Sequence, residues 1–102
     1  MTDEHEASRQ SEQRLAPGDV VRHFKRETIV DPGTLYLYRI LHFAIHSESG
    51  EPYVVYKALY SECLVYVRPM SMFMSEVDHE KYPGIRQHWR FELAGSGELP
   101  PG

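Results

Sequence analysis

Apolar residues recur at every second position in the longest patterned run of the chain, 35–46, and that period is the strongest structural signal in it. Val20, Val21 and Phe24 mark a first strand over 19–25. From Leu35 to His46 the odd positions Leu35, Leu37, Leu41, Phe43 and Ile45 form an apolar face broken only by Arg39, with Tyr36, Tyr38, Ile40, His42, Ala44 and His46 on the other. Period two with aromatic and β-branched content favours a strand, although a leucine-rich run leaves a helix open. Residues 53–60 read as its return strand, 64–68 as a third short segment stopped by Pro69, and 89–93 as a closing strand. Met70, Phe73, Met74 and Val77 follow helical spacing and predict a turn or two of helix over an open end of the sheet.

The punctuation agrees with this reading. Asp31-Pro32-Gly33 marks a loop over 26–34, because proline presets one dihedral and glycine accepts the positive φ that follows. Ser47 to Pro52, with Ser49-Gly50, reads as a hairpin loop. Residues 1–14 are polar, charged and without aromatics, and are expected to be a disordered tail that cannot repay its ordering entropy. Gly95, Ser96, Gly97 and the final prolines predict a second flexible tail over 94–102, leaving 15–93 as the folded body. Five short strands and one helical turn in so short a body suggest a small, strongly bent barrel, which hides sheet edges.

Order also matters. Arg22-His23-Phe24-Lys25, His46-Ser47-Glu48 with Glu51, Val54-Val55-Tyr56-Lys57-Ala58-Leu59-Tyr60, and Val67-Arg68-Pro69 with Met72-Phe73 occur in sequence. This ordered set resembles the bacterial family catalogued as domain of unknown function 1653, and Lys81-Tyr82-Pro83 with Arg90-Phe91-Glu92 resembles its longer variant. The resemblance spans about 17–92. It departs from shorter members at the inserted segment 26–34 and at Tyr66, where they favour Trp. It implies an SH3-like small barrel and no particular activity, since fold does not dictate function.

Composition narrows the function classes. The 102 residues suit one domain, and 41% hydrophobic with 25% charged residues is ordinary for a globular chain. The net charge of −4 is concentrated toward the N-terminus while 17–93 is near balance, which argues against sequence-independent binding to duplex nucleic acid. One cysteine, Cys63, excludes an internal disulfide and a CxxC site. Without an apolar leader or a run long enough to span a bilayer, the expected location is the cytoplasm, with no membrane partner.

Candidate chemistry is sparse. His42 and His46 could clasp zinc on a helix, but on a strand that spacing separates them by roughly 13 Å, so no metal is expected. No phosphate-cradling glycine loop and no GxSxG nucleophile motif occurs, and no cofactor is expected. The expected function is a non-catalytic binding or adaptor module with a groove of His23, Lys25, Arg39, Tyr56, Tyr60 and Arg68 and a rim of His46, Glu48 and Glu51. Flat tyrosine rings beside directed cations suit peptides, protein partners or unstacked bases of single-stranded nucleic acid. In this reading Arg39 either pairs with Glu48 or Glu51 or meets an anionic partner. The alternative is a small hydrolase or modifying enzyme using His23 or His46 with Glu48. Its edge strands suit either a monomer or a homodimer.

Overall fold

The computed structural model describes residues 13–99. In chain order these form β1 (Val20–His23), a 3-10 turn (Phe24–Thr28), β2 (Leu37–Ile45), β3 (Pro52–Ala58), β4 (Val65–Pro69), helix α1 (Met70–Phe73), β5 (Phe91–Leu93) and a last 3-10 turn (Ser96–Glu98). The strands make one antiparallel sheet in the order β4-β3-β2-β1-β5. The architecture is the mainly β one expected from the pattern, with five strands and a single short helix among the described residues.

A meander from β1 to β4 explains most of that order: short loops join β2 to β3 and β3 to β4, and the longer segment 24–36 joins β1 to β2. The β2–β3 loop is tight: His46 N–H donates to Glu51 O at 2.8 Å, Gly50 N–H donates to His46 O at 2.9 Å, and Gly50 takes φ 76°. The last strand returns to the first, pairing His23 with Phe91 and Val21 with Leu93. This brings Phe91 over the inner face, stacked on Phe73 at 4.0 Å and edge-on to Tyr38 and Tyr56, each at 5.6 Å. Around these rings pack Val21, Ile40, Val54 and Ala58, with Met70 and Met74 against them.

The faces of β2 differ from the alternation read in the sequence. Tyr38 and Ile40 point to the core, whereas Arg39, Phe43 and Ile45 are exposed. Pairing with β3 shifts between Ile40 and His42, so a bulge moves the second half of the strand out of the register of the first. Arg39 therefore lies on the outer face and does not interrupt an inner one. Its guanidinium donates to Gly18 O at 2.9 Å, and no carboxylate pairs with it among the described residues.

The first strand ends earlier than the expected 19–25, because the His23 side chain accepts from Lys25 N–H and caps the 3-10 turn that follows. Before β1, Leu15 is buried and the Gln13 side chain donates to Phe91 O. Beyond β5, Glu98 forms ion pairs with Arg22 at 3.1 Å and Arg26 at 3.0 Å. Residues 1–12 and 100–102, which belong to the two expected tails, lie outside the described residues.

Candidate functional site

Cross-strand partners share a face, and the partners of β3 place two polar groups on the inner one. Val54 and Tyr56 are core residues, so Arg68 opposite Val54 and Tyr66 opposite Tyr56 point inward as well. Because β4 ends the sheet, nothing in the ladder covers it, and Tyr66 keeps 39% of its surface exposed. Tyrosines continue from there: Tyr66 lies 5.7 Å from Tyr56, Tyr38 lies 5.5 Å from Tyr60, and Tyr60 lies 6.0 Å from Tyr36. Tyr38 and Tyr56 are buried, while Tyr36 and Tyr60 are half-buried. The hydroxyls of Tyr38 and Tyr60 share a 2.6 Å hydrogen bond. Burial, reinforced by that bond, raises the Tyr38 pKa, and burial also raises that of Tyr56 although Arg68 beside it acts the other way.

The tyrosine row ends at His23, 5.7 Å from Tyr36 and 5.1 Å from Phe91. Beyond it lies a cleft of about 320 Å³ lined by His23, Lys25, Arg68, Lys81, Tyr82 and Arg90, among others. The rolled sheet brings these together: β1 ends at His23, the following turn carries Lys25, and Arg68 reaches 6.0 Å from the Phe91 ring across the inner face. Arg90 is fixed by backbone pairing, donating through its N–H to Ser75 O at 2.8 Å and accepting from Phe24 N–H at 3.0 Å. Its side chain donates to Ser75 Oγ at 3.1 Å. The segment between α1 and β5 is held by Gln87, which bonds Arg22 and the carbonyls of Arg22, Trp89 and Arg90, and by Glu27, which accepts from Arg86 and Gln87 N–H.

Electrostatics in the cleft are one-sided. Among the described residues no carboxylate lies within ion-pair distance of Lys25, Arg68, Lys81 or Arg90. Asp78 also lines the cleft, but its carboxylate accepts from Glu80 and Lys81 N–H in a local turn. Burial, then the charges of Arg90, Arg68 and Lys25, lower the His23 pKa to about 4. Burial and Arg68 likewise lower that of Arg90. Since His23 Nδ1 accepts from Lys25 N–H, the neutral ring carries its proton on Nε2.

Of the groups expected to form one groove, His23, Lys25, Arg68, Tyr56 and Tyr60 share this side of the domain. The others do not join them. Arg39 is on the outer face, and His46, Glu48 and Glu51 belong to the β2–β3 hairpin tip. His23 pairs next to the start of β2 and His46 follows its end, about 30 Å of extended strand apart. His46 Nδ1 accepts from Glu48 and Ser49 N–H at 3.2 and 3.1 Å, so its ring organises the turn. Cys63 is exposed in the turn before β4. Sequence reasoning missed Tyr36, Tyr66, Lys81, Tyr82 and Arg90. A signal for Tyr66 was present in its alternation with Arg68, whereas the cleft's other wall depends on a loop path that no local pattern encodes.

The fold and this surface define a small all-β domain with an open, tyrosine-lined inner face that ends in a basic cleft. The chain belongs to the family described as Protein of unknown function (DUF1653), matched over residues 19–93. No curated protein and no solved structure matches it. Among the described residues no helix is long and apolar enough to cross a membrane, and no group of three or more His, Cys, Asp and Glu side chains converges as a metal site.

Proposed function

We propose that this domain is a non-catalytic, cytoplasmic binding module of the SH3-like small-barrel kind, whose ligand lies along the open tyrosine side of the inner face. The observation that carries this reading is Arg68, an inward-facing cation without a carboxylate partner among the described residues, beside the partly exposed rings of Tyr60 and Tyr66. Aromatic faces supply area at low entropic cost, and a directed cation supplies orientation. Tyr36 supports the same location, because it holds φ 66° between His23 and Tyr60. A bulky residue in that region costs about 1–3 kcal/mol, and such strain concentrates at ligand sites. The sheet order supports the SH3-like reading: a four-strand meander followed by a short helix, with the last strand returning to the first. An exposed lone cysteine suits a reducing compartment.

Two-dimensional amide spectra recorded with pools of peptides, oligonucleotides and metabolites test this reading. The expected shifts fall on Tyr36, Tyr60, Tyr66 and Arg68, and Tyr60→Ala or Arg68→Ala removes them with the fold intact. A ligand that perturbs only the 46–51 hairpin, or binds both variants unchanged, would overturn it.

A further inference from the structure

The cleft at the end of the tyrosine row is more specific than a generic polar surface. Two guanidiniums, Arg68 and Arg90, and two ammoniums, Lys25 and Lys81, face one volume with Asp78 as the acid among its lining residues. Bringing like charges together is unfavourable in proportion to their proximity, and here no ion pair relieves it among the described residues. Two arginines elsewhere are paired, Arg22 with Glu92 and Glu98 and Arg26 with Glu98, whereas the isolated Arg39 donates to a backbone carbonyl. The His23 ring adds an Nε2–H donor at the border between cleft and tyrosines.

We propose that this cleft binds the phosphate of a small aromatic phosphomonoester, held by Arg68, Arg90, Lys25 and the His23 Nε2–H, with its ring directed toward Tyr36 and Tyr60. This deepens the binding-module reading and rests on it for the ring, but not for the phosphate. A dianion fits the charge count better than a carboxylate: it offsets two of the excess cations, and its tetrahedral oxygens accept from donors arriving on several sides. Size points to a small ligand, since about 320 Å³ lies at the low end of the ~300–1,000 Å³ typical of small-molecule pockets. The tyrosines begin where the cleft stops, so a ring attached to the phosphate meets them through its short ester link.

The test is a titration of the whole labelled chain with inorganic phosphate, phenyl phosphate, dimethyl phosphate and benzoate, following amide shifts. Phosphate should perturb His23, Lys25, Lys81 and Arg90 at millimolar concentrations, while dimethyl phosphate and benzoate bind about tenfold more weakly or not at all. Lys25→Gln, at an exposed position, and Arg90→Gln should each weaken phosphate about tenfold, the loss expected from one charge-assisted hydrogen bond. Amide dispersion reports whether Arg90→Gln remains folded, and Lys25→Gln tests the site independently. Affinity for phenyl phosphate should rise from pH 5 to 7 with the second ionisation of its ester phosphate, near pH 6. Over that interval His23, which shares the cleft with Lys25, Arg68, Lys81, Arg90 and Asp78, stays neutral, so the ligand sets the profile. No phosphate-induced shift, equal binding of the diester, or unaltered affinity in both variants would overturn the proposal. Phenyl phosphate binding no tighter than phosphate, or a gain that survives Tyr60→Ala, would instead remove the ring contact while leaving the phosphate site standing.

Discussion

Phe91 and Phe73 stack at 4.0 Å with their ring planes 5° apart, joining the last strand to the only helix among the described residues on the inner side of the sheet. Both rings are fully buried. The stack helps hold the rolled shape, because β5 has a ladder with β1 alone. Phe91→Ala or Phe73→Ala should each cost about 3–5 kcal/mol, the range for deleting a buried aromatic ring. Urea unfolding followed by tyrosine and tryptophan fluorescence measures it, and a loss under 1 kcal/mol would place the mechanical seam elsewhere.

Glu98 joins two arginines from the other end of the chain, and Arg26 beneath it is 10% exposed. Burial alone would raise the Glu98 pKa, but the Gly95 N–H, Arg26 and Arg22 outweigh it and hold the carboxyl below its ordinary value. A depressed acid stabilises the fold above its unfolded pKa, near 4.5, and the contribution is lost as pH falls through the folded value. Glu98→Gln should therefore lower stability by about 1–2 kcal/mol at pH 7, and the difference from the parent should shrink in acid. Parallel urea curves at pH 7 and pH 3 decide the matter.

His23 shifts stability with pH in the same direction, although its ring is held neutral where the Glu98 carboxyl is held charged. With its folded pKa at about 4 and its ordinary value at 6.5, the unfolded chain binds a proton first as pH falls. Stability from keeping the ring neutral is complete above pH 6.5 and declines down to about pH 4, by at most about 1.4 kcal/mol per pH unit. An imidazole titration by NMR should show one histidine with a midpoint well under 5. If every resolved ring titrates near 6.5, the burial and facing cations are not acting on His23 as described.

His46 should behave as a turn residue. His46→Ala removes the acceptor for Glu48 and Ser49 N–H and should cost about 1 kcal/mol, the usual worth of such a cap. Ligand binding at the tyrosine side should be unaltered. A variant of full stability but lost binding, seen by denaturation and amide titration together, would return the hairpin to the functional surface.

Fold class was legible in the sequence because period two, Pro-Gly turns and a short helical spacing act locally: each constrains the few residues around it. Five strands and one short helix follow from those signals. The faces of β2 were not legible, because the bulge between Ile40 and His42 changes the register within one strand, so that odd-numbered Phe43, opposite Val54, shares a face with even-numbered Ile40, opposite Tyr56. That single irregularity put Arg39 on the wrong side. The hairpin tip was grouped with the groove for a different reason: residues 46–51 carry suitable chemistry, but β2 sets them at its far end from His23.

Arg68 and His23 could be named from the sequence as polar groups among strands, yet their shared cleft is a property of the roll. Only when β5 returns to β1 does Phe91 come beneath both of them, and only then do Lys81, Tyr82 and Arg90, from the segment that precedes β5, form the opposite wall. Local sequence determined which elements form, through backbone propensity and apolar spacing. Tertiary structure decided which side chains meet, because long-range strand pairing and sheet curvature depend on contacts between residues far apart in the chain.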